Sequence, residues 1–386
     1  MALDIKGDAE REKMEFIPVN EPLLDGNEKK YLCECVDTGW ISSEGPFVTK
    51  LEEGIAAYTG RKYGIAVCNG SVALDLCVEA LKLEAGDEVI MPAFTIISCA
   101  ASLVRKGIKP VLVDALEDTW NMDTAQIEAK ITKKTKAIMV VHIYGLPVDM
   151  DPVLSLADRY NLMVIEDGAE AHGLLYKGRK CGSFGTISAM SFYPNKHITT
   201  GEGGMVLTDD EEIANRCRLF RNLCHKPGHR FVHEELGYNF RMSNIQAAVG
   251  VAQLERVDVH LPMKRALGEH YTELCADLKH MKTPVMDTDY AHNTYWVFGL
   301  LMDRDAKFGA EEAMKFMASK NVGCRPFFYP MHLQPVFRKM GLFEGESYPV
   351  SEHLYNKGFY VPSGIGVTKE QREYVAGVLH ELDERL

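Results

Sequence analysis

The chain has 386 residues, of which 46% are hydrophobic and 25% charged, and its formal net charge is −12. This balance is typical of a globular protein long enough to bury a large core. An acidic chain without clustered Lys and Arg is not expected to bind nucleic acid, because counterion release requires such clusters. No apolar run reaches the roughly 18 residues that span a bilayer. The ten cysteines include no CxxC pair, so they indicate a reducing, cytoplasmic location.

The first predicted elements follow a charged stretch over residues 1–15, which lacks the apolar core of a signal peptide and is predicted to be a polar lead. From Lys62 onward, short apolar runs alternate with segments of helical periodicity. The predicted strands are Tyr63–Cys68, Glu88–Met91, Pro110–Asp114, Ala137–Ile143, Leu162–Glu166, Ile187–Phe192 and Gly204–Thr208. The predicted helices between the early strands are Ser71–Leu83, Ile96–Lys106, Thr124–Ile131 and Pro152–Tyr160. This alternation predicts an α/β fold with a seven-stranded, mainly parallel sheet.

After Leu207 the pattern changes to a mixed α+β succession. One helix is predicted over Glu211–Asn222, and a long one begins near Ser243 and is predicted to be interrupted at Pro262. The later predicted elements are the strands Tyr295–Met302 and Cys324–Tyr329 and the helices Ala310–Lys320 and Lys369–Leu386. The chain is therefore predicted to divide into a lead over 1–15, a large domain over 16–262 and a smaller C-terminal α+β domain over 263–386.

The strongest chemical signal lies between Ser191 and Met205. Lys196 follows an apolar run and precedes a glycine-rich turn, while Glu166 and Asp167 follow another apolar run upstream. In open α/β sheets, catalytic groups gather at the carboxyl ends of strands. A partly desolvated lysine is nucleophilic, and a carboxylate can keep a pyridine nitrogen protonated. Lys196 and Asp167 therefore predict a pyridoxal phosphate (PLP) site. The structural alternatives are a solvated lysine in a hairpin loop for Lys196 and a helix N-cap for Asp167.

Further candidate cofactor contacts follow other predicted strands. The turn Asn69-Gly-Ser71 leads into a helix, and the free N–H groups and dipole at the start of that helix can hold a phosphate. The alternative is an ordinary strand-to-helix turn in which Ser71 is the N-cap. Phe94 could stack on a flat ring or belong to the core. Ala169 could lie against the ring face, and His172 could reach a ring hydroxyl, although a lone histidine is more often structural.

A histidine series invites a metal-site interpretation. His225, His229 and His233 are spaced by four, which would align three imidazoles on a helix. Pro227-Gly228 lies between the first two, so a continuous helix is not expected there. Because the sequence has no HExxH motif and no cysteine cluster, no metal is predicted.

Taken together, these motifs resemble the DegT/DnrJ/EryC1/StrS family of PLP-dependent sugar aminotransferases, and within it the GDP-perosamine synthase branch. The similarity runs from about Ile17 to the C-terminus. Its motifs are Thr38–Ser43, Asn69–Ser71, Gly86–Pro92, Glu166–Ala171, Ser191–Gly204, Gly237–Met242 and Arg325–His332. The resemblance implies the fold-type-I, aspartate aminotransferase-like architecture.

The resemblance also implies a cofactor site. It implies pyridoxal 5′-phosphate bound covalently to Lys196 as an internal aldimine, pyridoxamine phosphate as an intermediate, and Asp167 as the partner of the pyridine nitrogen. The other implied contacts are Gly70, Ser71 and Ser191 for the phosphate, Phe94 and Ala169 for the ring faces, and His172 beside the ring hydroxyl. Asn239 matches an asparagine that reaches the phosphate of the neighbouring subunit, which implies a homodimer with shared active sites.

The implied reaction is transfer of an amino group from L-glutamate to a keto sugar for cell-surface polysaccharide synthesis. The sugar is expected to be a GDP-4-keto-6-deoxymannose-like nucleotide sugar or an 8-keto-3-deoxy-octulosonate, and Arg221–His225 departs from the perosamine synthase pattern. A sugar dehydratase of the same family is one alternative, but that variant has histidine in place of the lysine, so Lys196 favours transamination. A non-catalytic regulator of the same fold is the other alternative.

Overall fold

A computed structural model of the chain describes residues 14–226 and 228–386. Residues 1–13, which make up most of the predicted lead, and Pro227 lie outside this range. The described strands are β1 (Tyr63–Val67), β2 (Glu88–Pro92), β3 (Lys109–Val113), β4 (Thr135–Val141), β5 (Met163–Asp167), β6 (Leu175–Tyr176), β7 (Arg179–Lys180), β8 (Ile187–Ser191), β9 (Gly204–Thr208), β10 (His225–Lys226), β11 (His229–His233), β12 (Met281–Lys282), β13 (Phe298–Met302), β14 (Arg325–Pro326) and β15 (Gly358–Val361).

The described α-helices are α1 (Glu28–Thr38), α2 (Pro46–Thr59), α3 (Gly70–Ala80), α4 (Ile97–Val104), α5 (Met150–Tyr160), α6 (Glu211–Arg221), α7 (Asn244–Leu274), α8 (Ala310–Ser319), α9 (Pro335–Lys339), α10 (Pro349–Lys357) and α11 (Lys369–Asp383). Short 3-10 turns occur at Thr124–Gln126, Glu128–Lys130 and Met331–Leu333. Among the described helices, none has both the length and the apolar character that crossing a bilayer requires.

The seven predicted strands of the first half form one sheet, in the order β1-β9-β8-β5-β4-β2-β3. The pairs from β3 to β8 are parallel, and β9 is antiparallel to both of its neighbours. Nearly all residues of the central strands are buried, as expected for a sheet covered on both faces. The predicted seven-stranded, mainly parallel sheet is therefore confirmed.

This topology places several strand ends at one edge of the sheet. Because β1 and β8 are both antiparallel to β9, β1 runs in the same direction as β8 and β5. Asp167 ends β5 and Ser191 ends β8, while β1 leads into the turn before α3. Residues far apart in the sequence therefore meet at this carboxyl edge.

The C-terminal part contains a four-stranded antiparallel sheet in the order β12-β13-β15-β14. Residues of α7, α8 and α11 pack with it in a second core that includes Tyr271, Phe298, Phe359 and Leu379. This arrangement has the predicted α+β character, although the strand predicted over Cys324–Tyr329 is limited to two residues. The domain boundary at residue 262 stays a prediction.

Two local predictions are wrong. Pro262 does not interrupt α7, which runs without a break from Asn244 to Leu274. Leu261, Lys264 and Leu267 are buried on either side of the proline, so tertiary packing outweighs its local cost.

The second error concerns residues 124–131, where two 3-10 turns replace the predicted helix. The Asp123 carboxylate accepts hydrogen bonds from the Ala125 N–H and the Gln126 amide, and such local side-chain bonds compete with helical ones. The segment that contains His225, His229 and His233 was not expected to form a continuous helix. Its described residues instead form β10 and β11, which pair antiparallel as a hairpin.

Candidate active site

The carboxyl edge of the large sheet opens on a cleft of about 740 Å³. Six of the nine predicted cofactor residues line it: Gly70, Ser71, Asp167, Ala169, Ser191 and Lys196. Strand ends β1, β5 and β8 supply these residues or lie next to them. The fold therefore brings most of the predicted site together.

Lys196 lies at the base of this cleft with its amine largely buried. Its Nζ lies 3.6 Å from Oε1 of Glu170 and 3.8 Å from the centroid of the Trp296 ring. The indole N–H of Trp296 also donates a hydrogen bond to the carbonyl of Asn195 at 2.8 Å, which fixes the backbone beside the lysine. Burial lowers the pKa of Lys196, while the carboxylates of Glu170 and Asp167 oppose that shift. The amine is thereby made easier to deprotonate, as a nucleophile requires.

Asp167 faces the same cleft and is 1% exposed. Its Oδ1 accepts a hydrogen bond from the Ala169 N–H at 3.0 Å, and its Oδ2 accepts one from the Cys99 thiol at 3.2 Å. Burial raises the pKa of Asp167, although these two donors and the Lys196 charge oppose the rise. A buried carboxylate with so few donors is well placed to hold a cationic group of a ligand.

Glu170 is a site residue that sequence reasoning missed. Its Oε2 accepts a hydrogen bond from the Tyr144 N–H at 2.9 Å, and its Oε1 faces Lys196. Burial raises the pKa of Glu170 to about 7, against the opposing charge of Lys196. Its position three residues after Asp167, in the same acidic motif, was the available signal. Lys196 and Glu170 therefore form a buried pair able to share one proton.

The turn before α3 has the shape of an anion-binding cradle. Asn69, and not Ser71 as predicted, is the N-cap, because its side chain accepts from the Val72 N–H at 3.0 Å. The Ser71 hydroxyl is exposed and lies 2.7 Å from the Ser98 hydroxyl. A Cβ at Gly70 would lie 2.6 Å from Cβ of Ser191, so only glycine allows this close approach. The helix N-terminus and the hydroxyls therefore fit a phosphate group.

Three predicted cofactor residues do not line the cleft. Phe94 is fully buried and packs against Tyr144, Phe327 and Phe328 at centroid distances of 6.0, 6.1 and 5.9 Å. These contacts fit the core alternative and the neighbouring Thr95 lines the cleft, but the cofactor role of Phe94 stays a prediction.

His172 and Asn239 are placed differently. His172 is buried, and its Nδ1 accepts from the Ile198 N–H at 3.2 Å, so its Nε2 carries the proton. That Nε2 has no hydrogen-bond partner within the described residues, and burial lowers the pKa of His172 to about 3. Asn239 is exposed and its backbone forms an isolated antiparallel β-bridge with Asn222. It does not line the cleft of its own chain. The cofactor roles of both residues stay predictions.

Similar proteins have been found by sequence and by structure. Residues 22–380 match the sequence profile of the DegT/DnrJ/EryC1/StrS aminotransferase family. The chain is 41% identical over 368 residues to the GDP-perosamine synthase of Escherichia coli O157:H7, with coverage of 95% of this chain and 99% of that protein. It is 40% identical over 366 residues to the GDP-perosamine synthase of Caulobacter vibrioides, with coverage of 95% and 98%.

Among solved structures, S. venezuelae DesV is similar to this chain. The TM-score is 0.88 at 30% sequence identity, with coverage of 97% of this chain and 100% of that one. Together with the seven-stranded sheet, this similarity confirms the predicted fold class.

Proposed function

The chain belongs to the DegT/DnrJ/EryC1/StrS aminotransferase family of PLP-dependent enzymes, and on that premise we propose that it transfers the amino group of L-glutamate to a GDP-linked keto sugar. The observation that carries the proposal is that the largely buried Lys196 amine and the buried Asp167 carboxylate line the same cleft. Two relatives at 40% and 41% identity are GDP-perosamine synthases, which supports a GDP-linked sugar over an octulosonate.

The residues of the cleft fit PLP. Lys196 would hold the aldehyde carbon of the cofactor, Asp167 its ring nitrogen, and Gly70, Ser71 and Ser191 its phosphate. When bound, PLP supplies an electron sink for the bond that the donor must break at its α-carbon. The fit rests on the buried amine and carboxylate and on the open helix N-terminus at Gly70.

Lys196 is the group that moves the proton. Once the donor has released it from the cofactor, its neutral amine would take the proton from the donor α-carbon and deliver it to the former aldehyde carbon. Burial favours that neutral amine, and Glu170, at 3.6 Å, can hold the proton between the two steps. Trp296 holds the lysine by its ring contact with Nζ and by its hydrogen bond to the Asn195 carbonyl. Asp167 would keep the ring nitrogen of the bound cofactor protonated through its buried charge.

We further propose that two chains form a homodimer with shared active sites. Several apolar side chains of the described residues are highly exposed, including Trp40 at 51%, Leu236 at 92% and Ile245 at 37%. Large apolar side chains exposed to this degree are expected at interaction surfaces when they form a contiguous patch. Asn239 lies on the same segment as Leu236, where it could reach the site of a second copy.

Subunit mixing tests this arrangement. Alone, Lys196→Ala chains should be inactive and Asn239→Ala chains should be weakly active. An equal mixture should regain roughly a quarter of wild-type activity, because half of the dimers are mixed and each has one intact site. If the mixture regains no activity although ultracentrifugation shows mixed dimers, Asn239 does not act across the interface.

The reaction itself is tested with PLP, L-glutamate and GDP-4-keto-6-deoxymannose. Mass spectrometry should show an amino sugar, and 2-oxoglutarate should form in equal amount. Lys196→Ala should give no product and should lose the visible absorbance of the bound cofactor, whereas Lys339→Ala, an exposed lysine outside the cleft, should behave as wild type. Nucleotide-free and dTDP-linked keto sugars serve as competing substrates. A deoxy sugar without nitrogen as the product would support the dehydratase and refute the proposal.

A further inference from the structure

A second, smaller cavity of about 230 Å³ adjoins the main cleft. The two cavities share Tyr193, Asn195, Trp296 and Tyr360 as wall residues. Trp296 is the ring that lies 3.8 Å from the Lys196 amine. A molecule that presents a reacting nitrogen at Lys196 can therefore extend past Trp296 into the smaller cavity.

Arg325 lines this smaller cavity and carries a charge that no protein carboxylate neutralises. In the part of the chain that the structure describes, no carboxylate oxygen forms an ion pair with Arg325, whose guanidinium donates only to the Cys324 carbonyl at 3.2 Å. The antiparallel pairing of Arg325 with Tyr360 puts both side chains on the same face of the small sheet. Arg325 is also exposed, so a ligand can reach it.

The arginine and lysine side chains of the main cleft differ from Arg325 in this respect. Arg105 pairs with Asp75 at 2.5 Å, and Lys196 lies 3.6 Å from Glu170. Because the chain has a net charge of −12, an anionic substrate needs a local positive charge to be held near the reacting atoms. Among the described residues of these two cavities, Arg325 is the guanidinium or ammonium group that can provide one.

We propose that Arg325 binds a carboxylate of the amino donor, and that the smaller cavity is the carboxylate pocket of the site. This inference rests on the proposed function, in which the donor is a dicarboxylic amino acid. A guanidinium fork matches the two oxygens of a carboxylate and binds them with parallel hydrogen bonds. The donor brings its carboxylates within a few bonds of the nitrogen that reacts at Lys196, which suits a small adjoining pocket.

The nucleotide sugar carries the competing anion, its diphosphate. The sugar ring separates that diphosphate from the reacting carbonyl, and the nucleoside extends it further. A cavity of about 230 Å³ matches a short carboxylate-bearing chain better than a nucleoside diphosphate, whereas the main cleft of about 740 Å³ is of the size that binds large ligands. The size of the cavity therefore assigns Arg325 to the donor.

The test measures the donor half-reaction alone. L-glutamate is added to the PLP-loaded enzyme without sugar, and the absorbance of the bound cofactor is followed. Arg325→Gln should raise the glutamate concentration for half-maximal rate by roughly 10- to 100-fold, the loss expected for a charge-assisted hydrogen bond. Arg325→Lys should recover part of the loss. Arg304→Gln, an exposed arginine that pairs with Glu117 and lines neither cavity, is the matched control and should change nothing.

A binding experiment provides a readout that needs no turnover. Glutarate, a dicarboxylate without an amino group, should bind the wild-type holoenzyme in calorimetry, and Arg325→Gln should weaken it by a similar factor. Circular dichroism verifies that the variants are folded.

The KM for the GDP-linked keto sugar, at saturating glutamate, separates the two anions. We expect it to be unchanged in Arg325→Gln. A raised sugar KM with normal glutamate and glutarate behaviour would assign the guanidinium to the diphosphate and overturn the proposal, and so would no change in any of these measurements. If the wild type aminates no sugar, the proposed function fails, but the glutamate half-reaction still tests Arg325 by itself.

Discussion

Glu166 and Asp167 are neighbours at the end of β5, and the alternation of a strand turns their side chains to opposite faces of the sheet. Both are buried. Glu166 accepts hydrogen bonds from His142 Nε2 at 3.0 Å, from the N–H groups of Phe184 and Gly185 at 2.8 and 3.0 Å, and from the Gly182 N–H. Among the described residues, Asp167 has only the Ala169 N–H and the Cys99 thiol as donors.

The pKa values of the two acids follow this difference. Burial alone would raise the pKa of Glu166, but the hydrogen bond and charge of His142 and the backbone N–H groups lower it. For Asp167 burial prevails and raises the pKa. The chain thus completes the hydrogen bonding of one acid and leaves the other under-satisfied beside a cleft. An acid whose partners are all within the protein stabilises the fold, and one that lacks a partner can bind a ligand cation.

The potential ligand atoms of Glu166, His142 and Cys181 also lie close enough together to hold a metal ion. Their geometry indicates a structural network instead. Nδ1 of His142 accepts from the Val148 N–H at 3.2 Å, so its Nε2 carries the proton and donates to Glu166. Both histidine nitrogens and both carboxylate oxygens of this group are therefore already engaged by the protein.

The largest effect is expected for a substitution of Glu166, the acid whose hydrogen bonds are complete within the protein. Glu166→Gln removes the charge that His142 and three backbone N–H groups surround, and it should lower the free energy of unfolding by about 3–5 kcal/mol. Because the folded-state pKa of Glu166 lies below its ordinary value of 4.5, the stabilisation is present above that pH and is lost as the pH falls. Urea unfolding at pH 7 and at acidic pH measures this. If the difference in free energy of unfolding between wild type and Glu166→Gln does not shrink in acid, the Glu166 charge is not what stabilises the fold.

Asp167→Asn should give the opposite result. It removes the charge that would hold the ring nitrogen of PLP, so turnover should fall on the order of 10²- to 10³-fold, as when a preorganised electrostatic group is lost. The raised pKa of Asp167 means that its charged form is unfavourable in the fold, so the apo variant should be at least as stable as wild type. Product formation and urea unfolding of the apo protein test both statements, with Glu166→Gln as the matched amide control. If Asp167→Asn is strongly destabilised but keeps wild-type turnover per folded chain, Asp167 stabilises the fold and does not serve the reaction.

The same contrast explains what the sequence could predict. Apolar runs ending in polar residues were sufficient to locate the seven strands and to put Asp167, Ser191 and Lys196 at one edge of the sheet. They left Phe94 open between the core and the cofactor, because a residue after the end of a strand can turn to either face, as the neighbouring Thr95 does toward the cleft. Trp296 and Arg325 were missed because the docking of the small sheet against the cleft brings them to the site, and local periodicity does not encode that docking.

The smallest effect concerns the donor that Asp167 does have. Cys99 is fully buried, its thiol lies 3.2 Å from Oδ2 of Asp167 and 3.4 Å from the Thr95 hydroxyl, and burial raises its pKa, so it remains a protonated donor. Cys99→Ala removes that donor and should weaken PLP binding to the apo protein by about 1 kcal/mol, or roughly fivefold. A PLP titration followed by absorbance measures the change.

Two matched variants separate this hydrogen bond from loss of packing. Cys99→Ser restores a donor and should recover most of the affinity. Cys77→Ala makes a comparable cavity at a fully buried thiol of α3 that makes no described hydrogen bond to Asp167, and it should lower stability without weakening PLP binding. Equal weakening by Cys99→Ala and Cys77→Ala would mean that the thiol only fills space. Asp167 would then be oriented by the Ala169 N–H alone, and its contrast with Glu166 would be larger than the structure indicates.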